Sequence, residues 1–390
     1  MSIRVALLLI PMVALATPLD ARQRARELGI PFEGTPGPLN AITDVPGFEI
    51  GMATIVEGDG PLVVGEGPVR TGVTAIWPRG RSSEEGSFAS WYTLNGNGEM
   101  TGAIYIQDHG WLLPGPVLIT NTLSVGTAHA ALIRWGVVNG QRVSSLPVIA
   151  ETWDGFLNDI SGQHVREEHV FQAMDGARGG PVAEGSVGGG TGMICHGFKC
   201  GTGTASRVLD NGHTVGVLVQ ANHGGSRKLT IAGVPVGQAL GCMGGRCNPS
   251  TGGEEANSSA SGFDPEDREG SIIVIVATDA PLLPGALHQL AKRSALGVGR
   301  VGGQGETSSG DIMLAIGTGL RREGPGPSYQ LDAVMRGLNA YYEATIQATE
   351  EAIANALVAG RTTTGRDGNT VQGLPIERTL EILREYGRIR

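Results

Sequence analysis

Gly270-Ser271-Ile272-Ile273-Val274-Ile275-Val276 is the stretch on which the reading of this chain turns. Five β-branched residues in a row make a short, uninterrupted apolar run, the signature of a strand buried on both faces. Upstream, residues 249–270 are poor in hydrophobes and rich in Ser, Gly, Asp and Glu, which predicts a disordered stretch or a surface excursion. Ser271 sits at the junction of the two. If the bond before it breaks, Ser271 keeps a free α-amine, whose reference pKa of roughly 7.7–8.0 suits it to act as base for its own hydroxyl. Gly270 fits the same chemistry, because a residue without Cβ tolerates the strained backbone that exposes its carbonyl to an N→O acyl shift. Gly-Ser dipeptides end at Ser87, Ser186, Ser226 and Ser271, and only the last opens a β-branched strand behind an expendable linker.

Outward from this junction the chain alternates strand and helix signals. Short apolar runs broken by Gly and Pro over residues 41–77 predict several strands. Residues 128–138 and 165–177 have helical spacing; 147–150 and 214–222 read as strands, and 185–203 is laden with glycine. Beyond the junction, strands are expected at 271–277 and 311–317, and helices at 287–296, 330–358 and 376–386. A polar lead-in helix over 17–28 would stop at Gly29. Strands on both sides of the linker with helices between them predict one α/β domain over residues 17–390, divided in sequence rather than in space.

The bulk numbers narrow the function. With 390 residues there is ample core for one large domain. The net charge is −9, and residues 271–390 carry 12 basic and 12 acidic side chains, so the whole deficit lies before them. No basic patch exists to neutralise phosphates, which excludes nucleic-acid binding as the expected function. An acidic first part is a weak signal for a substrate with a positive amine, and a plain soluble surface accounts for it better. Arg4 precedes a short apolar run at 5–16 that ends Ala14-Leu15-Ala16, the pattern of a cleavable secretory signal over residues 1–16. That run is shorter than the ~20 residues of a membrane span, so a periplasmic or secreted protein, free of the membrane once the signal is removed, is expected. Cys195/Cys200 and Cys242/Cys247 leave disulfides and buried thiols open; the spacing is wrong for a zinc ribbon, and no metal is expected. There is no G-x-S-x-G elbow, H-E-x-x-H or Walker loop. His223, next to Asn222, is the one histidine of interest, more often a structural residue in such a place than a catalyst.

The run Ser271 to Pro284, followed by Ala295-Leu296-Gly297-Val298-Gly299-Arg300, resembles the β-subunit start of the β-peptidyl aminopeptidases. With the L-aminopeptidase/D-Ala-esterase/amidase enzymes these form the P1 family of N-terminal-nucleophile serine aminopeptidases. The likeness continues in Ile42-Thr43-Asp44-Val45-Pro46-Gly47, in Asn95-Gly96-Asn97-Gly98-Glu99-Met100-Thr101-Gly102, in residues 147–159 and 188–203, in Gln220-Ala221-Asn222 and in Ser308-Ser309-Gly310-Asp311. It implies a four-layer αββα sandwich and self-cleavage between Gly270 and Ser271 into an α-chain, 17–270, and a β-chain, 271–390. It also implies an oligomer, a tetramer of αβ units, and no cofactor.

Carried over position by position, the resemblance makes Ser271 the nucleophile, with Ser309 and Asp311 supporting its amine and hydroxyl. Relatives usually carry Glu where this chain has Asp311, one methylene shorter. Asn222 would donate its amide to the oxyanion, with a backbone N–H near Trp153 as second donor. Glu151 would bind the substrate's free amine, and Trp153 would shape the pocket. Read without the resemblance, Ser309-Gly310-Asp311 is a plain turn, Asn222 a strand-end residue satisfying local backbone, Glu151 a solvated loop carboxylate and Trp153 a core aromatic. The expected activity is release of a small N-terminal residue, D- or β-amino acids included, from a small peptide, amide or ester through an acyl-enzyme. An ornithine acetyltransferase-like enzyme of the same fold group would need a threonine nucleophile, and a self-processed binding protein would show no turnover.

Overall fold

Side-chain parity along the strand after Ser271 divides the interior in two. Ile272, Val274 and Val276 enter one apolar cluster and Ile273, Ile275 and Ala277 another, all of them fully buried. Successive Cβ atoms of a strand point to opposite faces, so this strand lies in a sheet covered on both sides. The computed structural model describes residues 23–141, 143–144, 146–242, 270–322 and 333–390. The expected signal at 1–16, the linker at 249–269 and Cys247 lie outside them.

Before the linker come β1 (Glu49–Glu57), β2 (Val69–Trp77), β3 (Ser87–Gly96), α1 (Ala103–Asp108), β4 (Leu112–Leu113), β5 (Val117–Asn121), α2 (Val125–Asn139), β6 (Val148–Thr152) and α3 (Glu167–Asp175). A small hairpin follows, β7 (Ile194–Cys195) and β8 (Phe198–Lys199), then β9 (Thr202–Val208), β10 (Thr214–Ala221) and the short α4 (Val236–Ala239). From Ser271 onward run β11 (Ile272–Thr278), α5 (Pro284–Arg300), β12 (Gly310–Gly317), α6 (Leu338–Ala359), β13 (Thr363–Thr364), β14 (Thr370–Val371) and α7 (Ile376–Glu385).

One sheet has the order β1-β2-β5-β6 and the other β4-β3-β12-β11-β10-β9. Between them lies a core built from Ile76, Val117, Ile119, Val148, Ile273, Ile275, Ile312 and Leu314. Leu132 and Trp135 of α2 and Val170 and Met174 of α3 close the outer face of the first sheet against Val73, Leu118 and Ile149. Leu287 and Leu290 of α5 and Ala348, Ala352 and Ile353 of α6 close the outer face of the second against Val217, Val219, Val274 and Met313. The layers run helix, sheet, sheet, helix: the αββα sandwich.

Strand register sets the geography of one sheet end. β11 and β12 are parallel, with Ile272 opposite Asp311, and α5 makes the crossover. Their N-terminal ends therefore lie side by side, bringing position 271 next to 309–311. β10 is antiparallel to β11, with Ala221 opposite Ile272, so the residue after β10, Asn222, meets Ser271. Across the sandwich β6 packs against β11 and delivers Glu151 and Trp153 toward the same region.

Some expected boundaries shift. α5 is longer than residues 287–296 because Pro284 is a good first helical residue. α6 starts at Leu338, and the described residues 333–337 ahead of it are not helical. The described part of the lead-in is a single turn, in which Leu28 N–H donates to the Arg24 carbonyl at 3.0 Å, before Gly29 at φ +84°. Cys195 and Cys200 form a disulfide with Cα atoms 5.8 Å apart, and Cys242 is buried. Among the described residues no helix is long and apolar enough to cross a membrane.

Candidate active site

Ser271, at the head of β11, is 7% exposed. Its hydroxyl oxygen accepts the Gly310 N–H at 3.1 Å, and its carbonyl accepts the Asn222 N–H at 3.0 Å. Gly270 is glycine for a steric reason. A Cβ there would lie 1.9 Å from the Asn222 carbonyl oxygen and 2.7 Å from Asn222 Nδ2. Only a bare Cα lets the chain pass so close to Asn222 on its way into β11.

Ser309 and Asp311 meet this junction from β12. Ser309 Oγ is 2.7 Å from the Gly270 carbonyl oxygen and also hydrogen-bonds Asp311 Oδ1. The Asp side chain, one methylene shorter than Glu, reaches. Burial pushes the Asp311 carboxyl up to about 6, opposed by its hydrogen bonds with Ser309 and the Ile272 N–H and assisted by the nearby Glu306 charge. A serine hydroxyl has a single proton. When it points at Gly270, the Asp311 carboxyl must be protonated and donate to Ser309; when Asp311 is ionised, the Ser309 proton turns to it.

Both ends of the Asn222 side-chain amide are engaged. Its Oδ1 accepts the Ile194 N–H at 2.9 Å, and its Nδ2 donates to the Trp153 carbonyl at 2.9 Å. An amide nitrogen has two hydrogens, so one is left, on an atom that packs against Gly270. The contact from Trp153 is made by its carbonyl, while its half-buried indole lies over Gly155.

Glu151 is buried, contrary to a solvated loop carboxylate. One carboxylate oxygen accepts the Glu99 N–H at 2.9 Å and the other accepts the Thr122 hydroxyl. Burial raises its pKa, and those two donors hold it partly in check. A cationic amine would be the natural counter-charge. Gly98 joins Glu151 to the rest: a Cβ there would be 3.2 Å from both Glu151 Oε1 and the Gly310 Cα. The site thus brings together Gly270, Ser271, Asn222, Trp153, Ser309 and Asp311 in one bonded network, with Glu151 at its edge through Gly98.

Several contributors carry no signal strong enough to be named from sequence. Thr122 orients Glu151. Asn95 Nδ2 donates to the Glu306 carbonyl and Asn97 Nδ2 to the Ser308 carbonyl at 2.6 Å, fixing the turn that presents Ser309. The glycine-flanked asparagines at 95–98 are the trace of this in the sequence. His223 does stand behind Asn222, packed edge-on against His196 with ring centroids 5.2 Å apart. Burial pushes His196 down to about 4 and, with His196 beside it, holds His223 well below the ordinary imidazole range. Neither ring hydrogen-bonds Ser271, Ser309 or Asp311, so both are neutral structural groups near pH 7. No group of three or more His, Cys, Asp or Glu among the described residues could hold a metal.

A model of peptidase family S58 matches residues 40–371. The beta-peptidyl aminopeptidase BapA of Sphingosinicella microcystinivorans is 48% identical over 375 residues, 94% of this chain and 93% of that protein. Among solved structures, the L-aminopeptidase D-Ala-esterase/amidase of Ochrobactrum anthropi, described as a prototype for the serine aminopeptidases and a variant of the Ntn hydrolase fold, has a TM-score of 0.82. It is 43% identical, covering 94% of this chain and 99% of its own. A Burkholderia sp. beta-aminopeptidase has a TM-score of 0.80 at 44% identity, with coverage of 94% and 99%. A four-layer sandwich, a serine at the head of a central strand and a family match over most of the length agree: the chain is a hydrolase with aminopeptidase relatives and belongs to peptidase family S58.

Proposed function

We propose that the chain cleaves itself between Gly270 and Ser271 and then acts as an exported aminopeptidase, with Ser271 as nucleophile and its own liberated α-amine as base. The observation that carries this reading is the double engagement of one peptide unit. The Gly270 carbonyl takes the Ser309 hydroxyl at 2.7 Å, while the adjoining Ser271 hydroxyl is held by the Gly310 N–H at 3.1 Å. Polarised carbonyl and nucleophile belong to neighbouring residues. Attack of Ser271 Oγ on the Gly270 carbonyl carbon forms an ester and breaks the C–N bond, whose nitrogen becomes the α-amine. Water then hydrolyses the ester, leaving Gly270 as a carboxylate.

In the cut enzyme the substrate acyl carbonyl takes the place that Gly270 vacates. The α-amine receives the Ser271 proton as the acyl-enzyme forms and passes it to the departing amine. The free N–H of Asn222 stabilises the oxyanion, an interaction worth about 3 kcal/mol in comparable sites. Ser309 and Asp311 hold the amine and hydroxyl, Glu151 binds the substrate ammonium, and Trp153 bounds the acyl pocket. Small N-terminal residues, β- and D-configured ones among them, are the proposed substrates. The relatives' names and the closed-in carboxylate support this. Export through a signal at residues 1–16 and assembly of αβ units into a homo-oligomer complete the proposal.

Denaturing electrophoresis with N-terminal sequencing tests it. The active protein should give two fragments, the smaller beginning Ser-Ile-Ile-Val, and Ser271→Ala should stay whole and release no p-nitroaniline from amino-acid p-nitroanilides. Turnover by protein still joined at 270–271 would refute it.

A further inference from the structure

An asparagine that stabilises an oxyanion works in only one of its two amide orientations. Rotated by 180°, it would present Oδ1 to the developing negative charge. The orientation of Asn222 is fixed by two backbone groups from separate segments, the Ile194 N–H on Oδ1 and the Trp153 carbonyl on Nδ2. Neither group belongs to β10, so each segment must be held in place by something else.

A buried cation lies behind the first of them and within the field of a carboxylate next to the second. Lys199 is fully buried, and its Nζ donates to the Met193 and Cys200 carbonyls, each at 2.8 Å. Met193 shares its peptide bond with Ile194, whose N–H faces Asn222. On the other side, the Asp154 carboxylate, one residue past Trp153, is the charge that favours the cationic form of Lys199. β7 and β8, which carry this lysine, are themselves clamped. The two-residue tip, His196 at φ 50° and Gly197 at φ 75°, makes a tight left-handed turn, and the Cys195–Cys200 disulfide closes it. The His196 N–H reaches the His223 carbonyl at 2.9 Å, tying the tip to the residue after Asn222.

We propose that Lys199, with the disulfide-closed hairpin that carries it, is a positioning residue that sets the amide of Asn222 for oxyanion binding. This rests on the reading of Asn222 as the oxyanion donor. A lysine is an unfavourable choice for packing alone: burial pushes Lys199 down to about 7 and Asp154 up to about 6, and a methionine of similar length would fill the space without that penalty. What methionine cannot do is hold the Met193 and Cys200 carbonyls from one point.

A double-mutant cycle tests the coupling. Lys199→Met, Asn222→Ala and the pair are compared with wild type for kcat and KM on an amino-acid p-nitroanilide. The first-order rate of self-cleavage is followed in the same proteins, so a variant slow to mature still gives a number. Removing Asn222 should cost on the order of 10²–10³-fold in kcat, and losing only its positioning about tenfold, with KM unchanged. In the Asn222→Ala background Lys199→Met should cost less than about twofold, because there is no amide left to orient. A full tenfold loss in that background overturns the proposal. Because Lys199→Met removes a positive charge that Asp154 favours, Lys199→Met/Asp154→Asn is made alongside. It should recover thermal stability while kcat stays low. Recovery of kcat, or failure of both Lys199 variants to fold, would assign Lys199 to the fold alone. An Asn222→Ala enzyme with unchanged kcat would instead sink the oxyanion reading itself, which keeps the two failures apart.

Discussion

The Ser309 hydroxyl stands between the Gly270 carbonyl, 2.7 Å away, and the carboxyl of Asp311, and has one proton to offer them. The two arrangements that satisfy this count would suit the two reactions proposed above. With Asp311 protonated, a relay runs from carboxyl to Ser309 to the Gly270 carbonyl and polarises the bond to be cut. With Asp311 ionised, Ser309 is drawn to the carboxylate and the pair becomes a negative support for the α-amine. On the proposed mechanism, the protonation state that would help maturation differs from the one that would help turnover.

Asp311→Asn separates them. Its amide can accept from the Ile272 N–H and donate to Ser309, imitating the protonated carboxyl, so self-cleavage should proceed near the wild-type rate. Turnover, deprived of the negative charge, should fall by about 10²-fold or more. In wild type, kcat/KM should decline as pH drops through about 6. The stability sign follows from linkage: the folded carboxyl binds its proton more tightly than the unfolded one, so ionised Asp311 destabilises the fold above pH 6 and has no such effect below the unfolded value. Asp311→Asn should accordingly be more stable than wild type at pH 8, by on the order of 2 kcal/mol, and nearly equal to it at pH 3.5. Urea unfolding at the two pH values measures this, and a stabilisation that is larger in acid would contradict it.

Gly270→Ala is expected to stop maturation without disturbing the core. Its Cβ would fall 1.9 Å from the Asn222 carbonyl oxygen, so the chain must shift by more than an ångström just where Ser271 has to meet its target. Misplacement on that scale costs about 100-fold in rate. A time course on denaturing gels should show the uncut chain persisting, while its thermal midpoint stays close to that of Ser271→Ala. Cleavage at the wild-type rate would show that the close approach has no part in the chemistry.

Glu151→Gln should damage recognition more than chemistry. The glutamine keeps an acceptor for the Glu99 N–H but loses the charge that pairs with a substrate ammonium. KM for a free amino-acid p-nitroanilide should rise by about 10- to 100-fold with kcat changed much less, and the preference for a free over an acetylated amine should disappear. Unchanged discrimination between those two substrates would remove Glu151 from amine binding.

Ser271 and its strand were legible because both signals are local: an apolar β-branched run and the polar stretch before it. The alternation of elements pointed to one α/β domain, and the family likeness supplied the layer order. The company of Ser271 was not local. Ser309 and Asp311 join it only because β11 and β12 pair in parallel with Ile272 opposite Asp311, a register that composition does not reveal, and the family likeness supplied what spacing left as a plain turn. Asn222 depended in the same way on Ala221 facing Ile272. Lys199 escaped notice because a lone lysine normally lies at the surface, and only the tertiary fold shows it enclosed beneath a hairpin. Helix α6 was extended too early because apolar spacing continues ahead of Leu338, where the described chain is not helical.

β11 is the fourth of six strands in its sheet, with β12 on one side and β10 on the other. The fragment released by the cut would thus begin in mid-fabric, stitched to β10 of the other fragment by one ladder and, through β12, to β3 by a second. Severing the backbone at Gly270 would change the covalent map without loosening the cloth. The halves should copurify through every non-denaturing step, and neither should be obtainable as a soluble folded piece on its own.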